Sequence, residues 1–316
     1  MEVSALIAAY KASFLAPAIE SALGQTHDDL EVVLVDDCPT DAVAAVAARY
    51  DTNPRFRYFR NESAPLGAAR SHARAIAEAR GRVLGIINDD DWWEPTLVER
   101  LLGALDGAAG AVVAFADHWV INDGERDLPA TNSCSRRWGR ARLAPGRQQP
   151  FFRTALVDKS IPSSIAALFL RDVVASAPIP EGVGGAYDYY LSYVLCRGGA
   201  AAVYVPERLA NWRVHGTNLT SVGSCERAEE EAAALRIAFE DPRTVAVAPD
   251  LRRAYADSLW VVATRHLRDG SRLRAIREAG ESARLGRPRA LILAPIALLP
   301  RSITRRLGRR TVPTTP

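Results

Sequence analysis

The chain has 316 residues, 48% hydrophobic and 24% charged, with a formal net charge of +3. This suits a globular protein of one large or two modest domains, and so small a net charge speaks against a nucleic-acid binder. Cys38, Cys134, Cys196 and Cys225 lie far apart with no CxxC pair, against a structural zinc site or disulfide framework and for reduced thiols in a cytoplasmic setting.

The start, MEVSALIAAY, lacks the basic region and long apolar core of a signal peptide, and no window approaches the roughly 20 apolar residues of a membrane span. Val3 to Ala9 reads as a buried strand, and Phe14 to Leu23 carries Leu15, Ile19, Ala22 and Leu23 at helical spacing. Leu30 to Val35 is a second buried strand, ending in Asp36 and Asp37. Thr40 and Asp41 suit the cap of a helix over residues 42–50. Phe56 to Phe59 is a third strand, and Gly67 opens a helix that Gly81 stops. Val83 to Ile87 is a fourth strand and Val112 to Phe115 a fifth. This alternation implies a mostly parallel sheet with helices on both faces. Residues 122–150 are rich in Arg, Gly and Pro with weak periodicity and read as a long loop or broken insertion. Apolar segments resume at Ser164 to Leu170, a helix over Asp188 to Cys196, a strand Ala201 to Val205 and another through Trp212. From Ser224 the chain reads as helical.

Residues 84–95, LGIINDDDWWEP, place three carboxylates at a strand end. Like charges this close resist joint ionisation unless a cation or donors compensate. A solvated turn capping the next helix is one reading; a divalent-metal site of hard oxygen ligands is the other. Ligands of such sheets bind beyond the carboxyl ends of the strands. Tyr10, Asp36, Asp37, Asn88 and Asp89 to Asp91 all fall at those ends, which favours the metal reading.

SFLAPAIESALGQTHDDLEVVLVDDCPTD resembles the opening of the family 2 glycosyltransferases, the inverting group with the GT-A fold. APLGAARSHARAIAEARGRVLGIINDDDWWEP is similar to that family's next block, with its glycine, its A-R pair and a D-x-D-D ending. AYDYYLSYVLCRGGAAAVYVPERLANWRVHGTN resembles the acceptor-side block: an aspartate opening a helix, V-P-E-x-L, then W-R-x-H. Single motifs are weak, but several in the right order and spacing are strong. The resemblance implies an α/β, Rossmann-like GT-A domain over residues 1–222, in which 1–120 bind the nucleotide sugar and 121–222 the acceptor, then a helical region 223–316.

The implied activity is that of a hexosyltransferase-type enzyme moving sugar from a UDP- or dTDP-sugar to an acceptor hydroxyl, with Mn²⁺ or Mg²⁺ as cofactor. Asp91 leads as metal ligand, with Asp89, Asp90 and His215 alongside; Asp89 and Asp90 also suit ribose or donor sugar. By the same resemblance Ala8, Tyr10, Asp37 and Arg70 face the nucleotide: Asp37 by accepting from base or ribose or else as a helix cap, Tyr10 by stacking or by closing the core, and Arg70 as a nucleotide or phosphate contact or else on a solvated helix face. The resemblance makes Asp188 the base that takes the acceptor's proton, the alternative being an N-cap aspartate. Trp92, Trp93, Trp212 and Arg213 line the sugar site or pack. Two departures stand out: Asn88 replaces the first Asp of D-x-D-D, and Tyr187 replaces the Glu that usually precedes Asp188.

Two other classes fit the composition. A non-catalytic nucleotide-sugar binder would lack Asp188 or the acidic triplet, and both are present. An aspartyl phosphotransferase would want its nucleophile at the end of the first strand, which ends AAYK. Near the C-terminus, Ala290 to Leu299 is apolar and edged with arginines, and at about 15 Å as a helix it is too short to span a bilayer. It suits the interface of an anionic membrane, docking onto the catalytic domain, or a contact between copies.

Overall fold

The structure is a computed structural model that describes residues 1–63, 65–216, 224–293 and 295. The chain forms two compact units, Met1–Asn218 and Leu219–Pro316. The first is built on ten strands: β1 (Val3–Ala9), β2 (Leu30–Asp36), β3 (Phe56–Arg60), β4 (Val83–Ile86), β5 (Trp92–Trp93), β6 (Ala111–Asn122), β7 (Glu125–Arg126), β8 (Gly146–Gln148), β9 (Ala167–Leu170) and β10 (Ala201–Val214). Their order is β3-β2-β1-β4-β9-β6-β10-β5, with β7 on β6 and β8 on β10. β1 to β4 are mutually parallel, and β9 enters antiparallel between β4 and β6.

Both faces of this sheet are covered. β1, β2 and β4 are near-continuous apolar runs, as strands buried on both sides are. Helix α1 (Leu15–Leu23) inserts Leu15, Ala18, Ile19 and Ala22; the connecting α2 (Ala42–Ala47) and α3 (Ala68–Glu78) follow. Helix α4 (Leu97–Asp106) inserts Leu97, Val98, Leu101, Leu102 and Leu105. Each fully buried Leu or Ile contributes about 1.5–3 kcal/mol.

The segment read as a loop over 122–150 is folded. β6 runs on to Asn122 and turns into β7, and helix α5 (Leu128–Arg137) follows, with Asp127 accepting from the Ala130 N–H. Arg140, 2% exposed, donates from Nε to Asp117 Oδ1 at 2.8 Å and fastens this region to β6. α5 buries only Thr131 and Ser135, so it carries no apolar stripe for periodicity to detect. The two strands expected across 201–212 are one, β10, whose register against β6 shifts three times instead of breaking. After α6 (Arg171–Ala175), a turn over Glu181–Ala186 leads into α7 (Tyr187–Cys196).

In the second unit, α8 (Cys225–Glu240), α9 (Ala248–Asp269) and α10 (Arg272–Arg284) follow. α9 stops at Gly270, whose φ of 87° suits a residue without a Cβ. Ala290 and Leu293 are buried with Ala263, Leu267, Ala275 and Ala279, whereas Leu291 and Ile292 are each 56% exposed. The remainder of the apolar, arginine-edged stretch lies outside the described residues, except Pro295. Among the described residues no helix is long and apolar enough to cross a membrane.

Gly81 is needed for close approach. Glu31, 1% exposed, accepts from Ser4 Oγ (2.7 Å), the Arg80 N–H (2.7 Å) and Arg57 Nη1 (3.1 Å), which joins β1, β2, β3 and the end of α3. The Gly81 N–H donates to the same Ser4 hydroxyl at 2.8 Å. A Cβ on Gly81 would lie 2.6 Å from the Ser4 nitrogen and 2.7 Å from the Val3 carbonyl carbon. We expect Gly81→Ala to cost about 1–3 kcal/mol by overpacking, seen as a lower urea midpoint; an unchanged midpoint would show that β1 yields freely.

Candidate active site

The strand registers bring the acidic residues to one edge. Ala9 pairs with Asp36, and the Asp37 N–H donates to the Ala9 carbonyl, so Tyr10 and Asp37 leave β1 and β2 side by side. β4 ends at the level of Leu6, and the chain then hooks back through Asn88 to Asp91. Asp89 Oδ2 accepts from the backbone N–H groups of Tyr10 (2.8 Å) and Lys11 (2.7 Å), which fixes this loop over the end of β1.

β10 supplies the opposite wall. Its Ala210 and Asn211 pair with Trp93 and Trp92, so the next residues of β10 run beside the triplet. The Arg213 N–H donates to Asp91 Oδ1 at 2.9 Å, and Arg213 Nε donates to the Asp90 carbonyl at 3.1 Å. His215 Nε2 lies 2.9 Å from Asp90 Oδ2. The Arg213 guanidinium sits over the rings of Phe14 (4.2 Å) and Trp92 (4.8 Å). The W-R-x-H motif and the acidic triplet are thus one constellation.

Burial dominates its electrostatics. Asp91 is fully buried and accepts from Asn88 Nδ2 at 2.8 Å and from the Arg213 N–H; both donors are uncharged. Burial, then the charge of Asp90, holds its carboxyl well above the usual range against the pull of those hydrogen bonds. Burial also pushes Asp89 up to about 6, with Asp90 adding to the rise and the Lys11 and Tyr10 amides opposing it. Buried carboxylates met by neutral donors form a set that a hard dication suits. The triplet splays, Asp89 toward β1, Asp90 toward His215 and Asp91 toward Asn88. One or two of these carboxylates could meet a single ion, the number Mg²⁺-type sites take beside phosphate oxygens.

The two departures in sequence meet in space. Asn88 Nδ2 donates to Asp91, and Asn88 Oδ1 accepts from the Tyr187 hydroxyl at 3.1 Å. An aspartate at 88 could not donate to Asp91 when ionised, and a glutamate at 187 could not donate to 88. The Tyr187 ring stacks on His72 at 3.9 Å, and His72 Nδ1 donates to the Ala68 carbonyl. Neither Asn88 as a bridge nor His72 as a platform was legible from motif spacing. The signal available was that both departures replace an acid with a residue able to donate.

The other expected site residues divide. Asp188, half-buried in the first turn of α7, adjoins Tyr187 and so lies one residue from the triplet's network. Tyr10 is 50% exposed at the rim, with Ala8 partly buried beneath. Asp37 turns inward: Oδ1 accepts from Asn61 Nδ2 and the Leu66 N–H and Oδ2 from the Gly67 N–H, so it anchors the approach to α3. Arg70 pairs with Glu181 at 2.6 Å. Trp93, 2% exposed, packs in the core and donates its indole N–H to the Ile165 carbonyl. Trp212 is half-buried against the Trp138 and His118 rings.

His72 yields a pH prediction. Burial lowers it from 6.5 to about 4, against the raising effect of its bond to Ala68. Between these values the unfolded chain takes up a proton that the folded one refuses, so stability falls as pH drops. His72→Phe keeps a ring on Tyr187 and removes the titration. Chemical denaturation at pH 7 and at pH 4.5 should show the wild type losing more stability than the variant, by up to roughly 3 kcal/mol at about 1.4 kcal/mol per pKa unit. Parallel losses would contradict it.

The sequence profile described as Glycosyl transferase family 2 matches residues 4–175. The putative glycosyltransferase EpsH of Bacillus subtilis (strain 168) is 35% identical over 102 residues, 32% of this chain and 29% of that one. The succinoglycan biosynthesis protein ExoO of Rhizobium meliloti (strain 1021) is 37% identical over 129 residues, 40% of this chain and 36% of that one. The matches thus span about a third of these curated relatives. Among solved structures, TarS 1-349 of S. aureus in complex with UDP-GlcNAc superposes with a TM-score of 0.62 at 13% identity, over 98% of this chain and 91% of that one. The mannosyltransferase PcManGT from Pyrobaculum calidifontis, in complex with GDP-Man and Mn²⁺, superposes with a TM-score of 0.58 at 18% identity, over 98% and 84%. The sheet flanked by helices is the GT-A fold, and the chain belongs to glycosyl transferase family 2.

Proposed function

We propose that this chain is a metal-dependent, inverting glycosyltransferase that moves a sugar from a nucleotide-sugar donor, UDP- or dTDP-linked, to an acceptor hydroxyl. The observation that carries the reading is the acidic loop at the strand ends, where Asp89 and Asp91 are hydrogen-bonded by uncharged donors. TarS with UDP-GlcNAc and the mannosyltransferase with GDP-Man and Mn²⁺ support a nucleotide-sugar donor.

Asp91, with Asp89 or His215, would hold Mn²⁺ or Mg²⁺. When bound, the ion neutralises charge on the departing diphosphate as a Lewis acid. Tyr10 offers its exposed ring to the base above Ala8. Asp37 retains acceptor capacity on Oδ2 for ribose or base, and Arg70 meets phosphate by exchanging Glu181 for it. Trp92, Trp212 and Arg213 border the sugars, and Asp90 orients His215. Asp188 takes the proton of the acceptor hydroxyl as that oxygen attacks the anomeric carbon, and the diphosphate leaves with the bonding pair. The hydroxyls of Ser163 (2.8 Å) and Ser192 (3.1 Å) donate to the Asp188 carbonyl and steady its backbone. A cytoplasmic site of action, with contact to a membrane surface through the C-terminal segment, belongs to the same proposal.

The reading is tested by incubating the protein with UDP-, dTDP- and GDP-sugars, with and without Mn²⁺. Slow release of nucleoside diphosphate that depends on Mn²⁺ and is lost in Asp91→Ala supports it; donor binding without release under any condition marks a non-catalytic binder. With an acceptor in hand, Asp188→Asn should lower transfer by roughly 10² to 10⁴ while donor affinity holds within a few-fold. If donor affinity collapses instead, Asp188 is not the base.

A further inference from the structure

The helical unit holds a cluster of metal-type ligands apart from the acidic loop. Cys225 is the first residue of α8, and Glu229 follows one turn later on the same face. His266, 4% exposed, comes from the last turn of α9. Cys225 Sγ lies 3.2 Å from His266 Nδ1 and 4.0 Å from Nε2, and Glu229 Oε1 lies 3.0 Å from Nε2. One ligand atom from each falls within 4.8 Å of the others. A tetrahedral zinc ion, about 2.3 Å from sulfur and about 2.0–2.2 Å from nitrogen and oxygen, sets its ligands roughly 3.3–3.6 Å apart. Small side-chain rotations close the difference.

We propose that Cys225, Glu229 and His266 bind a zinc-class divalent ion and thereby pin the start of α8 to the end of α9. The donor set decides the class, because a thiolate with an imidazole selects zinc-type ions over Mg²⁺ and Ca²⁺, which take oxygen. Burial, then Glu229 and Asp269, push the Cys225 thiol up to about 11 although Arg265 and Arg274 oppose this, so a metal bound here must displace a proton that the thiol holds tightly. Binding sends the Cys225 proton to solvent and uses Nε2 of His266 as ligand, with the ring proton kept on Nδ1. Glu229, with its side chain 45% exposed, leaves one side open for a water as fourth ligand. CxxC spacing gave no hint of this site, because its sulfur is single and its imidazole lies on the next helix.

The competing arrangement is a metal-free relay, in which the thiol donates to Nδ1 and Nε2–H donates to Glu229. The test uses the full chain, purified without a metal-affinity tag, stripped with chelator, and titrated with Zn²⁺ and separately with Co²⁺. We expect about one zinc per chain by mass spectrometry and a thiolate-to-cobalt charge-transfer band. Cys225→Ser should abolish the band, exposed Glu229→Gln should weaken zinc binding about tenfold or more, and Asp91→Asn should leave both unchanged. No cobalt band in the wild type, or zinc held equally by wild type, Cys225→Ser and Glu229→Gln, would overturn the proposal.

Discussion

Asp91 is sealed from solvent, and the groups that reach it bring partial charges and no full one. A carboxylate in that position is costly unless several elements are held against it at once. β4 delivers the acidic loop, β10 arrives beside β5 to bring the Arg213 N–H, and α7 positions Tyr187 to hold Asn88. Elements that are distant in sequence, 122 residues apart in the case of Asp91 and Arg213, are therefore tied to one carboxyl group. In the sheet order β10 runs beside β5, which brings the Arg213 N–H to the triplet.

Within that frame, Asn88 and Tyr187 make a consistent exchange. One amide spends its donor on Asp91 and its acceptor on a phenol, and the phenol's ring rests on a histidine that burial keeps neutral. Fewer negative charges then crowd the loop than a full acidic motif would impose. Asp37 is buried in the same way: three donors from the segment before α3 converge on it, so one carboxylate organises that loop.

Much of this was legible in the residues. The continuous apolar strands, the i, i+3, i+4 helices and the acids at strand ends give the parallel half of the sheet and its acidic edge, because burial on two faces leaves a strong pattern. α5 was not, because it buries hydroxyl side chains and takes its stability from the Asp127 cap and the Arg140–Asp117 pair. β10 read as two strands because its shifts in register interrupt the alternation without interrupting the pairing. The roles of Asp89, Asp90 and Asp91 could not be told apart in sequence, since each differs only in the backbone or ring it faces. Trp93 looks like Trp92 on paper, and the pleat alone sends one to the core.

Two of the three carboxylates are held by main-chain N–H groups, from Tyr10 and Lys11 for Asp89 and from Arg213 for Asp91. Such contacts persist whatever side chain stands at positions 10, 11 and 213, proline excepted. Replacing Tyr10 or Lys11 with alanine would therefore leave the backbone grip on Asp89 in place, whereas alanine at Arg213 keeps the N–H bond to Asp91 and removes the Nε bond to the Asp90 carbonyl. Exchange of this loop meets the same condition: the acidic turn can be transplanted only together with the end of β10, the exit of β1 and Tyr187, because its anchors are backbone conformations as well as side chains.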